Sequence, residues 1–279
     1  MPGTAVKVEP QVGCTPVLRW AGSKRKLIPR LAPYWGEGYS RYLEPFAGSS
    51  ALFFALAPPS AVLSDINEEL IETLECIRDN PREIHRRLNR IECSEKEYYR
   101  IRAQTPRSLS LWSRAARFIY LNRNCFNGLY RTNLRGQFNV PFAATGTGGI
   151  PPLQVFVENS RLLKRAELVR GGFEEVIRDQ VREGDFVYLD PPYAVSNRRI
   201  FRQYGPQTFG LDDLEKLRSL LSYIDSKGAV FLMSYADCKE SRTFAADWNY
   251  RRIFTQRNIA GFSRHRRRAG EALITNITV

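Results

Sequence analysis

Asp190-Pro191-Pro192-Tyr193 is the segment of this sequence best suited to chemistry. It follows the apolar run Phe186–Leu189, which reads as a buried strand. A strand feeding such a loop places it at a carboxyl edge, where open α/β sheets bind ligands. Prolines fix φ and keep the loop from folding away. The Asp190 carboxylate and the Pro191 carbonyl can together accept hydrogen bonds from one –NH2 group, with Pro192 stiffening the turn. Tyr193 offers a flat face on which a base can stack. A strand-ending turn with a half-buried tyrosine would read the same way; the position after a buried strand favours the chemical reading.

Two further segments could hold a ligand. Glu44-Pro45-Phe46-Ala47-Gly48-Ser49-Ser50 lies between a strand and a helix, and Gly48 with its small neighbours lets a ligand approach the backbone beside free N–H groups. Asp65 closes the next strand about twenty residues on, where an acidic side chain can bind ribose hydroxyls. In Leu18-Arg19-Trp20-Ala21-Gly22-Ser23-Lys24, Trp20 supplies packing area and Lys24 can meet a carboxylate. A purely structural glycine turn and a core tryptophan are the alternatives for these two segments.

The elements that must position these residues alternate between α and β. Arg25–Leu31 can start a helix, Arg41–Glu44 reads as a short strand, Ala51–Leu56 as a helix and Ala61–Leu63 as a buried strand ending at Asp65. Helices are expected over Glu68–Arg78, Pro81–Ile91, Glu95–Ala103 and Leu109–Leu121, too many for a single crossover, and so an inserted helical domain. Asn133-Leu134-Arg135-Gly136 is a turn signal within a hairpin. After a Gly/Thr/Pro boundary at Ala144–Pro152, α/β alternation resumes with helices Gln154–Arg165 and Asp212–Ser226, buried strands Phe186–Leu189 and Ala229–Met233, and a strand pair at Tyr250–Phe254 and Ala272–Val279. The expected division is a flexible tail (1–16), a first sheet part (17–67), the insertion (68–152) with its hairpin (126–141), and a second sheet part (153–279).

Composition narrows the partners. Among 279 residues, 42 Lys and Arg against 29 Asp and Glu give a net charge of +13, which favours a polyanion, nucleic acid first; a merely soluble basic surface is the alternative. No apolar run reaches the roughly 18 residues of a membrane span, and no basic-then-apolar leader opens the sequence, so a cytoplasmic location is expected. Five scattered cysteines read as free thiols. The two histidines, His85 and His265, stand in no Cys/His cluster, so no metal site is expected.

Taken in order, Trp20–Lys24, Pro45–Gly48, Asp65–Asn67, the insertion and Asp190–Tyr193 resemble the Dam-type family of AdoMet-dependent DNA adenine N6 methyltransferases. Asn127-Gly128-Leu129-Tyr130-Arg131 with Phe138-Asn139-Val140-Pro141-Phe142 looks like that family's DNA-contacting hairpin, and Glu271-Ala272-Leu273-Ile274-Thr275-Asn276 like its closing strand. The resemblance spans Val17 to the end. It departs at Ser23 and Ser50, where glycines are usual, and at Ala143, where the hairpin commonly ends in Gly; an added Cβ there limits close backbone approach.

The resemblance implies a Rossmann-like AdoMet methyltransferase sheet with an inserted helical target-recognition domain and a β-hairpin. It implies S-adenosyl-L-methionine held by Trp20, Lys24, Phe46, Gly48, Asp65 and Asp190, with Phe173 or Glu174 against its adenine ring. It implies Asp190, Pro191, Pro192 and Tyr193 as catalytic residues and double-stranded DNA as partner, the target being GATC or a relative. Arg131 is expected to read a guanine, Phe126 to wedge between bases, and Asn127, Leu129, Asn133 and Pro141 to lie at base edges. Arg264, Arg266, Arg267 and Arg268 are expected on phosphates. The competing readings are an RNA adenine methyltransferase, a glutamine methyltransferase, which usually has Asn in place of Asp190, and a non-catalytic DNA-binding protein on the same fold.

Overall fold

The computed structural model describes residues 14–133, 135–144, 148–193, 209–256 and 268–278. A 3-10 turn, Lys24–Leu27, leads into the short helix α1 (Ile28–Leu31). Strand β1 (Arg41–Glu44), helix α2 (Ala51–Leu56) and strand β2 (Ala61–Asp65) form the strand–turn–helix–strand unit. Helices α3 (Glu68–Asp79), α4 (Pro81–Leu88), α5 (Glu95–Arg102) and α6 (Leu111–Asn124) follow, close to their expected bounds. Local chemistry sets their starts. The side chains of Asn67, Asn80 and Ser94 accept from the backbone N–H of Leu70, Glu83 and Glu97, satisfying donors the first turn leaves free, and Pro81 opens α4 where no N–H is needed.

The second half contains α7 (Leu153–Leu163), β3 (Ala166–Arg170), α8 (Phe173–Gln180), β4 (Asp185–Leu189), α9 (Leu211–Ser226), β5 (Val230–Ala236), α10 (Lys239–Arg242), β6 (Asn249–Gln256) and β7 (Arg268–Thr275). The sequence reading gave no element to β3 and α8. β3 pairs on one side only and is largely uncovered, so its residues show neither a continuous apolar run nor clean alternation. The last strand begins at Arg268 and stops at Thr275, several residues earlier at both ends than Ala272–Val279; antiparallel register with β6, from Asn249↔Thr275 to Gln256↔Arg268, sets it.

The strands form one seven-stranded sheet in the order β3-β2-β1-β4-β5-β7-β6. The first five are mutually parallel, and β7 enters antiparallel between β5 and β6. This is the Rossmann-like α/β arrangement the resemblance implies. Alternate side chains face opposite layers, as strand pleating requires. Tyr42, Phe186 and Tyr188 enter a core with α3, α4, α6 and α7, whereas Leu43, Val187 and Leu189 enter a core with α8 and α9. The first core runs without a break from the sheet into the helical segment, so no gap in packing marks residue 68. At the opposite end of the strands from the ligand crevice, Arg41 makes a two-pronged contact with buried Asp185, through Nε at 3.1 Å and a terminal nitrogen at 2.9 Å.

Residues 125–133 and 135–142 fold back on each other and, among the described residues, form no regular ladder. Single antiparallel bridges join Cys125 to Phe142 and Thr132 to Phe138. The turn is closed by Gly136 N–H donating to the Asn133 carbonyl and Asn133 N–H donating to the Gln137 carbonyl, each at 2.9 Å. Tyr98 and Arg102 of α5 donate to the Val140 carbonyl at 2.9 and 3.1 Å and fasten the returning limb.

Candidate active site and the adjoining arm

The chain reverses lateral direction between β1 and β4: β1 connects toward β2, β4 toward β5. Open α/β sheets leave a crevice at such a point, outside the strands' carboxyl ends. Glu44 ends β1, Asp65 ends β2 and Asp190 follows β4, so the topology gathers the chemically suited residues on one edge.

Lys24 and Asp190 meet there. Lys24 Nζ lies 2.7 Å from Asp190 Oδ1, with the lysine 8% and the aspartate 20% exposed. Nζ also lies 3.4 Å from the Tyr193 hydroxyl and 5.4 Å from the centre of its ring. The Tyr193 hydroxyl donates to Glu271 of β7 at 3.0 and 3.2 Å, and Tyr193 meets Tyr235 edge to face. Ser234 of β5 donates to Asp190 Oδ1 at 3.1 Å. Burial alone would push the Lys24 ammonium down, but Asp190, Tyr193 and Glu271 reverse this and hold it above the ordinary lysine value. Burial raises the Asp190 carboxyl, and Lys24 pulls part of that shift back. Without this lysine the carboxyl would bind a proton more readily and lose its character as a pure acceptor.

The glycine turn packs against the N-terminal segment. Gly48 has a left-handed φ of 48°, and a Cβ added there would sit 2.7 Å from Trp20 Cδ1. Its N–H donates to Asp65 Oδ2 at 3.1 Å, and Asn67 N–H donates to Asp65 Oδ1 at 2.9 Å. Ser50, at a position where the resemblance has glycine, also adopts a left-handed conformation (φ 50°, ψ 40°). A non-glycine residue there carries about 1–2 kcal/mol of strain. Burial raises the Asp65 carboxyl, opposed by backbone N–H donors, and raises Glu44 well above the usual carboxylate range, opposed by the Tyr42 hydroxyl at 3.0 Å.

Of the expected cofactor residues, Trp20, Gly48 and Asp65 form one contact group and Lys24 and Asp190 a second, both at the carboxyl ends of the strands. Phe46 stacks on Phe173 (5.2 Å, 29°), and both meet Phe209, forming an aromatic cluster at the start of α8. Glu174 is surface-exposed and ion-paired with Arg178 at 3.3 Å. Sequence reasoning missed Ser234 and gave Glu271 no role. Both are buried polar residues, and Ser234 stands in an otherwise apolar strand, a signal that marks it.

The arm lies against the Trp20 group. Tyr130 stacks on Trp20 (5.5 Å, 14°) and touches Phe118 and Phe138. Asn122 accepts from Arg19 N–H at 2.8 Å and donates to the Arg19 carbonyl at 2.7 Å, joining α6 to the N-terminal segment. Phe126 is 46% exposed, Asn127 is exposed, and Leu129 is partly covered. Arg131 Nε donates to Asn139 Oδ1 at 2.8 Å, the side chain of Asn133 is held by Gln137 across the turn, and the carbonyl of exposed Pro141 accepts from Phe126 N–H. Arg264, Arg266 and Arg267 lie outside the described residues; Arg268 begins β7 rather than standing in a loop. A second concentration of positive charge lies in the helical segment, whose basic character the sequence shows without picking out individual arginines. Helices α4, α5 and α6 enclose a concavity of about 320 Å³ whose wall includes Arg86, Arg87, Arg90, Arg100 and Arg117. Arg86 and Arg87 share Glu83 and Arg100 holds Glu97, while Arg90 has no ion pair among the described residues.

Residues 20–259, which carry nearly all of this crevice and arm, match the D12 class of N6 adenine-specific DNA methyltransferases. The chain belongs to that family. Similar relatives bear this out along nearly the whole length. A type II methyltransferase, M1.LlaDCHI of Lactococcus lactis subsp. cremoris, is 34% identical over 275 residues, covering 95% of this chain and 96% of the relative. Type II methyltransferase M.MjaIII of Methanocaldococcus jannaschii is 32% identical over 241 residues (78% and 83%). The retron Ec67 DNA adenine methylase of Escherichia coli is 32% identical over 250 residues (87% and 85%). This D12-class methyltransferase is accordingly an adenine-specific DNA-modifying enzyme.

Proposed function

We propose that this methyltransferase uses S-adenosyl-L-methionine to methylate N6 of an adenine swung out of duplex DNA, within GATC or a close relative. The observation that carries the proposal is the Lys24–Asp190–Tyr193 cluster at the reversal point of the sheet. The crevice fits the cofactor by its charge: Asp190 and Glu271 stand near one another with Lys24 between them and Asp65 ends the neighbouring strand, a local concentration of carboxylates in a chain of net charge +13. Such a pocket suits a ligand carrying a sulfonium and an ammonium. Glycine at position 48 lets the Trp20 ring close on the turn and sets that indole beside the crevice. Trp20, Lys24, Gly48 and Asp65 would hold the cofactor, Phe46 and Phe173 bounding its apolar side. When bound, it supplies an electrophilic methyl group.

The protein's own part is binding, orientation and acceptance of hydrogen bonds. An adenine N6 lone pair is delocalised into the ring and is a poor nucleophile. Asp190 and the Pro191 carbonyl accept its two hydrogens, draw the nitrogen toward tetrahedral geometry and localise the pair. Positioning and electrostatics are then sufficient, without a protein nucleophile or a metal. Tyr193, anchored through its hydroxyl, offers its ring to the base. The base must leave the stack because N6 is paired there. Resemblance of the arm to a recognition hairpin supports Arg131 as a guanine reader and the GATC assignment.

The test is transfer of labelled methyl from AdoMet to duplex DNA, with Asp190→Ala alongside and an RNA duplex of the same sequence as a second substrate. Removing the acceptor should lower the rate about 100-fold or more while DNA binding persists. Wild-type turnover by Asp190→Ala refutes the assignment of Asp190. Preference for RNA refutes the substrate.

A further inference from the structure

Asp190 is held from behind by a residue outside the motif. Ser234 in β5 is 0% exposed and donates to Asp190 Oδ1 at 3.1 Å. Its hydroxyl also lies 2.9 Å from that of Tyr188 in β4, itself buried. A serine hydroxyl has one proton. With that proton given to Asp190, Tyr188 must be the donor in the second contact, so the chain of donors runs from Tyr188 through Ser234 to the carboxylate. Lys24 Nζ reaches the same oxygen at 2.7 Å. Both side-chain donors therefore converge on Oδ1, and among the described residues Oδ2 accepts no hydrogen bond.

We infer that Tyr188 and Ser234 are a positioning pair that fixes the rotation of the Asp190 carboxylate, committing Oδ1 inward so that Oδ2 is the oxygen presented to the substrate amine. The inference rests on the adenine-methylating reading above. The pair sits on two adjacent parallel strands, Phe186↔Val230 to Leu189↔Met233 in register, so it moves with the sheet and not with the loop. A carboxylate after a strand end has a free χ torsion; two converging donors remove that freedom before substrate arrives, which is pre-organisation in the sense that speeds reactions. The same donor favours the ionised carboxylate and opposes the effect of burial.

The test is a comparison of the wild type with Ser234→Ala, Ser234→Thr and Tyr188→Phe for steady-state methylation across the acidic limb of the pH profile, with melting temperatures recorded for each. Ser234→Ala should lose about 10- to 100-fold in kcat, with KM for DNA changed by no more than about 3-fold, because an interaction made at the reacting group is lost. Its acidic limb should move to higher pH, since a donor that lowers the Asp190 pKa is gone. Ser234→Thr keeps the hydroxyl and should recover most of the kcat. Tyr188→Phe leaves Ser234 able to donate and should shift the limb in the same direction by less. Wild-type kcat and an unmoved limb in Ser234→Ala overturn the inference while leaving the methyltransferase reading intact. So does a loss that merely follows the folded fraction. Should Ser234→Ala not fold, an unmoved limb in Tyr188→Phe overturns it. A wild type that methylates no adenine overturns both readings.

Discussion

Replacing Lys24 with methionine deletes the crevice's positive charge and keeps its apolar stem. Removing one partner of a buried pair commonly costs about 3–5 kcal/mol, because the other charge is stranded. Here Asp190 keeps Ser234 as a donor and remains one-fifth exposed, so the cost falls at or below the bottom of that range, about 2–3 kcal/mol at neutral pH. For a chain of this size that lowers the Tm by roughly 4–12 °C. The pH dependence follows from sign. The Asp190 carboxyl already lies above the ordinary 3.8 in the folded protein, and losing Lys24 raises it further. A carboxyl with a raised folded pKa stabilises the fold while protonated, and that contribution is lost as pH rises through the folded value. The deficit of Lys24→Met is therefore full near pH 7 and shrinks as pH falls through the raised pKa toward 3.8. In the wild type, the Lys24 contribution is intact from neutral pH up to the ordinary 10.5 and is lost as pH rises above it through the raised folded value. Urea denaturation of wild type, Lys24→Met, Asp190→Asn and the double variant, at neutral and acidic pH, closes a thermodynamic cycle. A coupling below about 0.5 kcal/mol, or a deficit independent of pH, refutes the reasoning.

Three other perturbations bear on separate parts of the site. Gly48→Ala forces a Cβ into Trp20 and a non-glycine residue into left-handed backbone; a loss of about 2 kcal/mol in urea denaturation and at least tenfold weaker AdoMet binding by calorimetry are expected, and unchanged values of both contradict the packing argument. Arg131→Ala should lose about 1–3 kcal/mol of discrimination at one base position in methylation profiling of a randomised duplex library; a uniform loss over all sequences assigns Arg131 to phosphate instead. Arg86→Ala with Arg90→Ala should weaken binding to every duplex alike and reduce the slope of log affinity against log salt by about one per lost contact, whereas an unaltered slope places the α4–α6 concavity off the DNA path.

The sequence displayed the parts of the molecule whose residues obey local rules. Phe186–Leu189 reads as a buried strand because its apolar run is covered on both faces, and the helices expected from Glu68, Pro81 and Glu95 start there because Asn67, Asn80 and Ser94 cap them. Lys24 and Asp190 were legible as chemical residues, but their contact was not, since nothing local links positions so far apart. Ser234 was overlooked because a single polar residue in an apolar strand barely alters its periodicity. β3 escaped because an edge strand needs only one paired side and leaves its faces half open. The arm was visible as a turn, whereas its hold on Trp20 through Tyr130 is a ring stack between segments that only the tertiary fold brings together.

The position of β7 has a consequence for biosynthesis. Lys24 and Tyr193 touch although 169 residues separate them, and Tyr193 is tied to Glu271 another 78 residues on. Glu271 lies in the strand that inserts between β5 and β6, so the sheet must admit its latest-made strand before the hydroxyl of Tyr193 has its acceptor. At about 5–20 residues per second, a ribosome holds a nascent chain for many seconds with Asp190 and Tyr193 already made and Glu271 not yet released. During that interval the chain carries its basic surface but lacks a finished crevice. The Tyr193 hydroxyl gains its acceptor with the insertion of one strand and not with synthesis of the Asp190–Tyr193 motif.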